Sequence, residues 1–183
     1  MRRRTLLLGA ALAALPRPSL ADATLDRLRA GGLIMLMRHA QTVPGTGDPP
    51  GFRLDDCATQ RNLSEDGREQ ARRIGTRLRE ERVPVDAVRT SAWCRCRETA
   101  ELLGLGPVER LPPLDSFFED RSRAAWHRDG ILAFMAAWTG PGNAMLVTHQ
   151  VNVTAVSGVA PASGEIVVMT AGTEPELVGR LRL

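Results

Sequence analysis

The chain is organised around the stretch Leu33-Ile34-Met35-Leu36-Met37-Arg38-His39-Ala40-Gln41-Thr42, in which five apolar residues run directly into an Arg-His pair. Two glycines precede this stretch, and a loop rich in proline and glycine follows it over residues 43–56. This pattern is typical of a parallel strand that is covered on both faces. In open α/β sheets, ligands bind at the carboxyl ends of the strands. We therefore expect Arg38 and His39 to project into a crevice.

A second apolar run ends in the same way. Ala144-Met145-Leu146-Val147 is followed by Thr148 and His149. Parallel strands align their carboxyl ends along one edge of a sheet, so the two histidines are expected to meet there. The positive charge of Arg38 disfavours protonation of the adjacent imidazole. A neutral imidazole nitrogen can act as a nucleophile.

The remaining pattern alternates strands with amphipathic helices. Periodicity and turn residues predict helices at 23–30, 64–81, 91–103 and 121–138, and further strands at 85–88, 108–111, 165–170 and 177–183. Such alternation predicts an α/β fold, a three-layer α/β/α sandwich with a mostly parallel central sheet. Residues 22–183 are expected to form a single domain. His127, with charged neighbours in the fourth helix, is expected to face solvent.

Residues 1–21 have the features of a signal peptide. Three arginines at positions 2–4 precede an apolar run of residues 6–15, and Ser19-Leu20-Ala21 provides small residues for cleavage. The run is too short to span a bilayer, which predicts export to the periplasm or secretion without a membrane span. The arginines are compatible with either an ordinary secretory signal or a twin-arginine signal.

The basic character of the chain lies mainly in this leader. Removing its four arginines, in a segment without acids, takes the formal net charge from +3 to −1. A nearly neutral domain lacks the electrostatic footprint of a nucleic-acid-binding protein, so no nucleic-acid partner is expected. The oligomeric state stays open.

Three cysteines remain after the leader. An oxidising compartment permits a disulfide between Cys57 and either Cys94 or Cys96, with one thiol left over. A metal site is the alternative. It is less favoured, because there is no Cys-x-x-Cys pair and no close spacing of histidines.

Four segments, taken in order, resemble the histidine phosphatase superfamily, the phosphoglycerate mutase-like proteins. The Arg-His-Ala-Gln-Thr of 38–42 is similar to the family's Arg-His-Gly-x-Thr, and residues 61–71 are similar to its Leu-Thr-x-x-Gly-x-x-Gln-Ala segment. Residues 91–100 resemble its Ser-Pro-x-x-Arg-Ala-x-x-Thr-Ala segment, and 147–150 stand where the family has Val-Ser-His-Gly. Each match alone is weak, but their shared order over residues 33–157 makes the resemblance specific.

The resemblance implies phosphoryl transfer to a small phosphorylated substrate. His39 would attack phosphorus and carry a transient phosphohistidine that water hydrolyses. Arg38, Arg95 and His149 would surround the phosphoryl oxygens, and Thr42 could add a hydroxyl donor. Arginine suits this task because its planar guanidinium offers paired donors. Neither a metal nor another cofactor is expected.

The general acid has several candidates. The family takes this residue from the loop after the third strand, which here contains Asp115, Glu119 and Asp120. Glu119 follows two phenylalanines, whose apolar surroundings could raise its pKa, so it ranks first and Asp115 second. Protonation from elsewhere is the alternative.

Two positions depart from the family pattern. Ala40 and Gln150 each replace a glycine, and Ala40 is a problem if its position needs positive φ or close approach of the substrate. The sequence therefore favours an exported phosphomonoesterase. The alternatives are a phosphatase for phosphohistidine or envelope glycans, and a catalytically weak phosphate-binding or interaction domain. A mutase is less favoured, since the chain is short for additional substrate-binding segments.

Overall fold

The computed structural model describes residues 20–183. Its centre is a six-stranded sheet with the strand order β3-β2-β4-β1-β5-β6. The strands are β1 (Leu33–Arg38), β2 (Val85–Thr90), β3 (Val108–Arg110), β4 (Asn143–Thr148), β5 (Ile166–Thr170) and β6 (Leu177–Leu181). The first four are parallel, whereas β5 is antiparallel to both of its neighbours. The predicted α/β fold with a mostly parallel sheet is confirmed.

Helices cover both faces of the sheet, namely α1 (Leu20–Ala30), α2 (Glu65–Glu80), α3 (Cys94–Leu103), α4 (Ala124–Ala137) and α5 (Gln150–Ser157). Successive side chains of β1 point to opposite faces, so each face receives part of its apolar run. Met35 and Met37 join the core beneath α1, α2 and α3. Ile34 and Leu36 join the core beneath α4 and α5. Burial on both faces explains why β1 is a continuous apolar run rather than an alternating one.

The strand register places the two polar termini side by side. β1 and β4 pair in parallel, with Arg38 opposite Thr148. The next residue of each strand is a histidine, and the His39 amide donates to the Thr148 carbonyl at 2.9 Å. The close pairing of two apolar strands therefore fixes the spacing of His39 and His149.

Several helices differ from expectation: α1 begins three residues earlier and α3 three residues later than predicted, and further differences lie in the last third of the chain. Asp120 accepts a hydrogen bond from the Ser122 amide and caps a 3-10 turn over Arg121–Arg123, so α4 begins only at Ala124. The short helix α5 was not predicted. The solvent-facing position expected for His127 is wrong. The residue is only 2% exposed because α4 packs against the turn Pro112–Leu114, where Nδ1 lies 3.0 Å from the Pro113 carbonyl.

The predicted leader falls outside the described residues except for its last two positions, which begin α1. Within residues 20–183, no helix is both long enough and apolar enough to cross a membrane.

Candidate active site

His39 and His149 face each other at the carboxyl edge of the sheet. Their ring centroids are 5.6 Å apart and their planes are inclined by 69°. Both side chains are almost fully buried, yet both line a cavity of about 730 Å³. The loop 43–56, the segment 116–121 and the start of α5 form the other walls. A cavity of this size holds much more than a phosphate group.

The hydrogen bonding of His39 leaves one ring nitrogen available. Nδ1 lies 2.8 Å from the Ala40 carbonyl oxygen. A carbonyl can only accept, so a neutral His39 carries its proton on Nδ1 and keeps a lone pair on Nε2. Burial, followed by the charge of Arg95, lowers the pKa of His39 to about 3, and Arg38 adds a smaller effect. The imidazole is neutral at pH 7, and burial is a larger cause than the adjacent arginine.

In both Arg38 and Arg95, one guanidinium nitrogen is hydrogen-bonded to the protein while another has no partner. Nη1 of Arg38 donates to the Pro161 carbonyl at 3.1 Å. Nη1 of Arg95 donates to the Asp48 carboxylate at 2.7 Å. The Nε atoms of both arginines are buried and have no hydrogen-bond partner within residues 20–183. Buried polar groups normally have partners, so these orphan donors are suited to an anion.

Arg61 is a further arginine in the cavity wall, and it was not predicted. Its Nε donates to the Gly47 carbonyl at 2.8 Å, and its Nη1 donates to the Gly45 carbonyl and to the Thr42 hydroxyl. Thr42 does not line the cavity, and its hydroxyl oxygen instead contacts Arg61. The predicted role of Thr42 as a direct phosphate donor stays a prediction, while its visible contact is with an arginine.

Asp48 is a second residue that the sequence did not single out. Its carboxylate accepts from Arg95 Nη1, from the Arg61 amide at 2.9 Å and from the Trp93 indole at 3.0 Å. Burial opposes ionisation, but these hydrogen bonds outweigh it and hold the pKa of Asp48 below its ordinary value. The Arg95 and Asp48 side chains are each only 5% exposed. The whole cavity wall contains five arginines and three carboxylates, so it keeps two excess positive charges, which match a phosphate dianion.

His149 is held from the side opposite the cavity. Its Nε2 lies 2.9 Å from the Ser91 hydroxyl oxygen and 3.5 Å from the Cys96 sulfur. Burial, followed by the charge of Arg95, lowers its pKa well below the ordinary value. His149 also caps α5, so the positive end of that helix dipole faces the same cavity.

The two candidate acids lie in different surroundings. Glu119 lines the cavity and, within the described part of the chain, forms no hydrogen bond or ion pair. Asp115 is not part of the cavity wall. One of its carboxylate oxygens accepts from the Ala92 amide at 2.7 Å and the other accepts from Arg110 at 2.8 Å. Asp120 does line the cavity, but its carboxylate binds Ser122. Of the three acids, Glu119 is therefore the one that both lines the cavity and has no hydrogen-bond partner in the described residues.

Neither departure from the family pattern blocks the cavity. Ala40 has no positive φ, and its methyl group packs in a small cluster with Leu63 and Ala71 rather than in the cavity wall. Gln150 is exposed at the rim. Alanine is thus accommodated where the family has glycine.

A disulfide joins Cys57 to Cys94, one of the two predicted pairings. It ties the loop that follows Asp48 to the start of α3, directly before Arg95. Cys96 is the buried free thiol. Among the described residues, no group of three or more histidine, cysteine or acidic side chains lies close enough to hold a metal ion.

Fold and site together define a class of protein: an α/β domain with a buried neutral histidine in an arginine-lined cavity. Residues 34–119 match the family model of the histidine phosphatase superfamily, branch 1. The predicted resemblance to this superfamily is confirmed.

Solved structures support the same fold. A protein histidine phosphatase SixA complexed with tungstate is 15% identical, with a TM-score of 0.58 over 81% of this chain and 96% of that one. YhfR from Bacillus stearothermophilus is 18% identical, with a TM-score of 0.59 over 80% and 95%. A mycobacterial glucosyl-3-phosphoglycerate phosphatase is 16% identical, with a TM-score of 0.60 over 80% and 97%. Comparison with functionally curated protein sequences finds no significant match.

Proposed function

We propose that this protein hydrolyses phosphomonoesters through a phosphohistidine on His39. The observation that carries the proposal is the state of that side chain: a neutral imidazole whose Nε2 has no hydrogen-bond partner in the described chain, within a pocket lined by five arginines. In the first step, the Nε2–P bond forms and the ester P–O bond breaks. In the second, water attacks phosphorus, the N–P bond breaks and inorganic phosphate leaves.

The arginines and His149 bind the phosphoryl oxygens in this proposal. Charge moves onto those oxygens and the leaving group as phosphoryl transfer proceeds, and fixed donors stabilise it without reorganisation. The buried Nε atoms of Arg38 and Arg95 are the donors with most to gain from an anion.

Glu119 protonates the leaving oxygen in this proposal and then accepts a proton from the attacking water. Its place in the cavity wall and its lack of a fixed partner support this role over Asp115. The two roles need one carboxyl group that alternates between its acid and base forms.

Export and the leaving group are further parts of the proposal. The disulfide beside Arg95 supports maturation in an oxidising compartment, the periplasm or the exterior. The cavity wall also contains Phe52, Phe117 and Phe118, with Arg121 packed over the last two, which supports a leaving group with an apolar surface. An unprocessed cytosolic product that retains the arginine leader would contradict export.

The test of the reaction is turnover of a generic aryl phosphate at pH 5 to 8. The wild type is expected to be active and His39→Ala to be inactive. Equal rates for the two proteins would instead support a phosphate-binding domain without catalysis. Phosphosugars and phosphohistidine peptides belong in the follow-up panel, since they represent the two more specific phosphatase alternatives.

A further inference from the structure

The hydrogen bonds behind His149 determine which of its nitrogens faces the substrate. Ser91 is fully buried, so its hydroxyl hydrogen needs an acceptor within the protein. Its oxygen already accepts from the Trp93 amide at 3.3 Å. Two contacts remain for the O–H among the described residues, the Cys96 sulfur and Nε2 of His149 at 2.9 Å, and a ring nitrogen is a much stronger acceptor than a thiol sulfur. The hydroxyl therefore donates to this nitrogen.

This donation fixes the tautomer of His149. A neutral imidazole has one donor nitrogen and one acceptor nitrogen. With Nε2 accepting from Ser91, the proton resides on Nδ1. No hydrogen bond within residues 20–183 uses Nδ1, and His149 lines the cavity, so Nδ1–H is the group left for a phosphoryl oxygen.

Cys96 is a weak rival for the Ser91 hydroxyl, because a thiol sulfur is a poor hydrogen-bond acceptor. Its sulfur lies 3.5 Å from Nε2 and 3.6 Å from the Thr148 carbonyl, which can accept the S–H. Burial raises the pKa of Cys96 to about 12, so the thiol stays neutral and brings no negative charge beside the phosphate. A thiol is also a weaker donor than a hydroxyl.

We propose that Ser91 is a positioning residue that holds His149 as a neutral hydrogen-bond donor to the transferring phosphoryl group. The proposal rests on the proposed phosphatase function. According to this proposal, His39 and His149 both carry their proton on Nδ1, but they use different nitrogens. The Nε2 lone pair of His39 attacks phosphorus, whereas the Nδ1–H of His149 donates to a phosphoryl oxygen. Neither residue has to be protonated at neutral pH.

The experiment is ¹⁵N NMR of histidine-labelled protein, in which two-bond N–H correlations identify the protonated nitrogen of each neutral ring. The chain has only three histidines, so His39→Asn and His127→Gln variants assign the signals. The wild type is expected to show Nδ1–H for His149. Ser91→Ala is expected to shift this ring toward Nε2–H. A wild-type His149 in the Nε2–H form would overturn the proposal, whatever the activity of the enzyme.

Kinetics provide the second measurement. Loss of a preorganised donor to the transition state costs about 100- to 1,000-fold in kcat, and a mixed tautomer population costs less, so Ser91→Ala is expected to lower kcat about 10- to 100-fold with little change in KM. Ser91→Thr keeps the hydroxyl and is expected to restore most of the rate. Cys96→Ala removes the rival contact of Ser91 and is expected to keep His149 in the Nδ1–H form.

The outcomes separate the two proposals. An unchanged tautomer and rate in Ser91→Ala would overturn the role of Ser91 while leaving the phosphatase proposal intact. A wild type without turnover would refute the phosphatase proposal, and the tautomer spectrum would still decide whether Ser91 orients His149.

Discussion

The buried, neutral state of His39 makes protein stability depend on pH in a calculable way. In the unfolded chain this imidazole binds a proton as the pH falls below about 6.5, whereas in the folded protein burial keeps it neutral down to a pKa of about 3. Between these values the unfolded state binds more protons than the folded state. The free energy of unfolding therefore decreases as the pH falls through this window.

The size of the effect follows from proton linkage. One proton corresponds to about 1.4 kcal/mol per pH unit, so titration of the unfolded His39 between pH 6.5 and 4.5 lowers stability by about 2 kcal/mol. His39→Asn abolishes this contribution and keeps a side-chain N–H that can donate to the Ala40 carbonyl. Relative to the wild type, this variant is expected to gain about 2 kcal/mol on acidification, whatever its stability at pH 6.5.

Urea unfolding followed by tryptophan fluorescence measures the effect at pH 6.5, 5.5 and 4.5. Comparing wild type with His39→Asn at each pH cancels the titration of the other groups, including His149, which both proteins share. A difference that stays constant over this range would refute the assignment of His39 as a buried neutral base.

Three more predictions follow from the surroundings of the cavity. Glu119→Gln is expected to lower turnover of substrates with poor leaving groups at least tenfold, whereas Asp115→Asn is expected to change kcat by less than about threefold. The reverse order would show that Asp115 rather than Glu119 is the general acid. Asp48→Ala leaves the Arg95 charge buried without its partner and is expected to lower the free energy of unfolding in urea by about 3–5 kcal/mol. Saturating inorganic phosphate should recover part of that loss. Equal stability with and without Asp48 would contradict the ion pair. Opening the disulfide, whose cysteines are 37 positions apart, is expected to cost about 4 kcal/mol in Cys57→Ser, and a reducing agent should then destabilise only the wild type.

Local pattern was sufficient to predict the centre of the fold. The apolar runs before Arg38 and before Thr148 identified two strands covered on both faces, and the parallel arrangement then required their terminal histidines to meet. The helix α2 could also be predicted from the sequence, since Ser64 caps it and its apolar residues recur at helical spacing. These features depend on residues that are close in sequence.

Other parts of the site depend on contacts that sequence spacing does not encode. Asp48 lies in a loop rich in proline and glycine, and its partner Arg95 is 47 positions away. Arg61 stood within a motif segment, but the turn of its side chain back toward Gly45 and Gly47 depends on the loop's path. His127 was misjudged for the same reason, because the turn that buries it arrives from another part of the chain.

The most direct test of the account is to trap the intermediate. Phosphohistidine survives alkali, so a rapid alkaline quench of wild-type protein mixed with ³²P-labelled aryl phosphate is expected to give labelled protein, with the phosphate mapped by mass spectrometry to the peptide that contains His39. His39→Asn should remain unlabelled and inactive. Turnover by wild type with label on another residue, or turnover that persists in His39→Asn, would contradict the proposed mechanism.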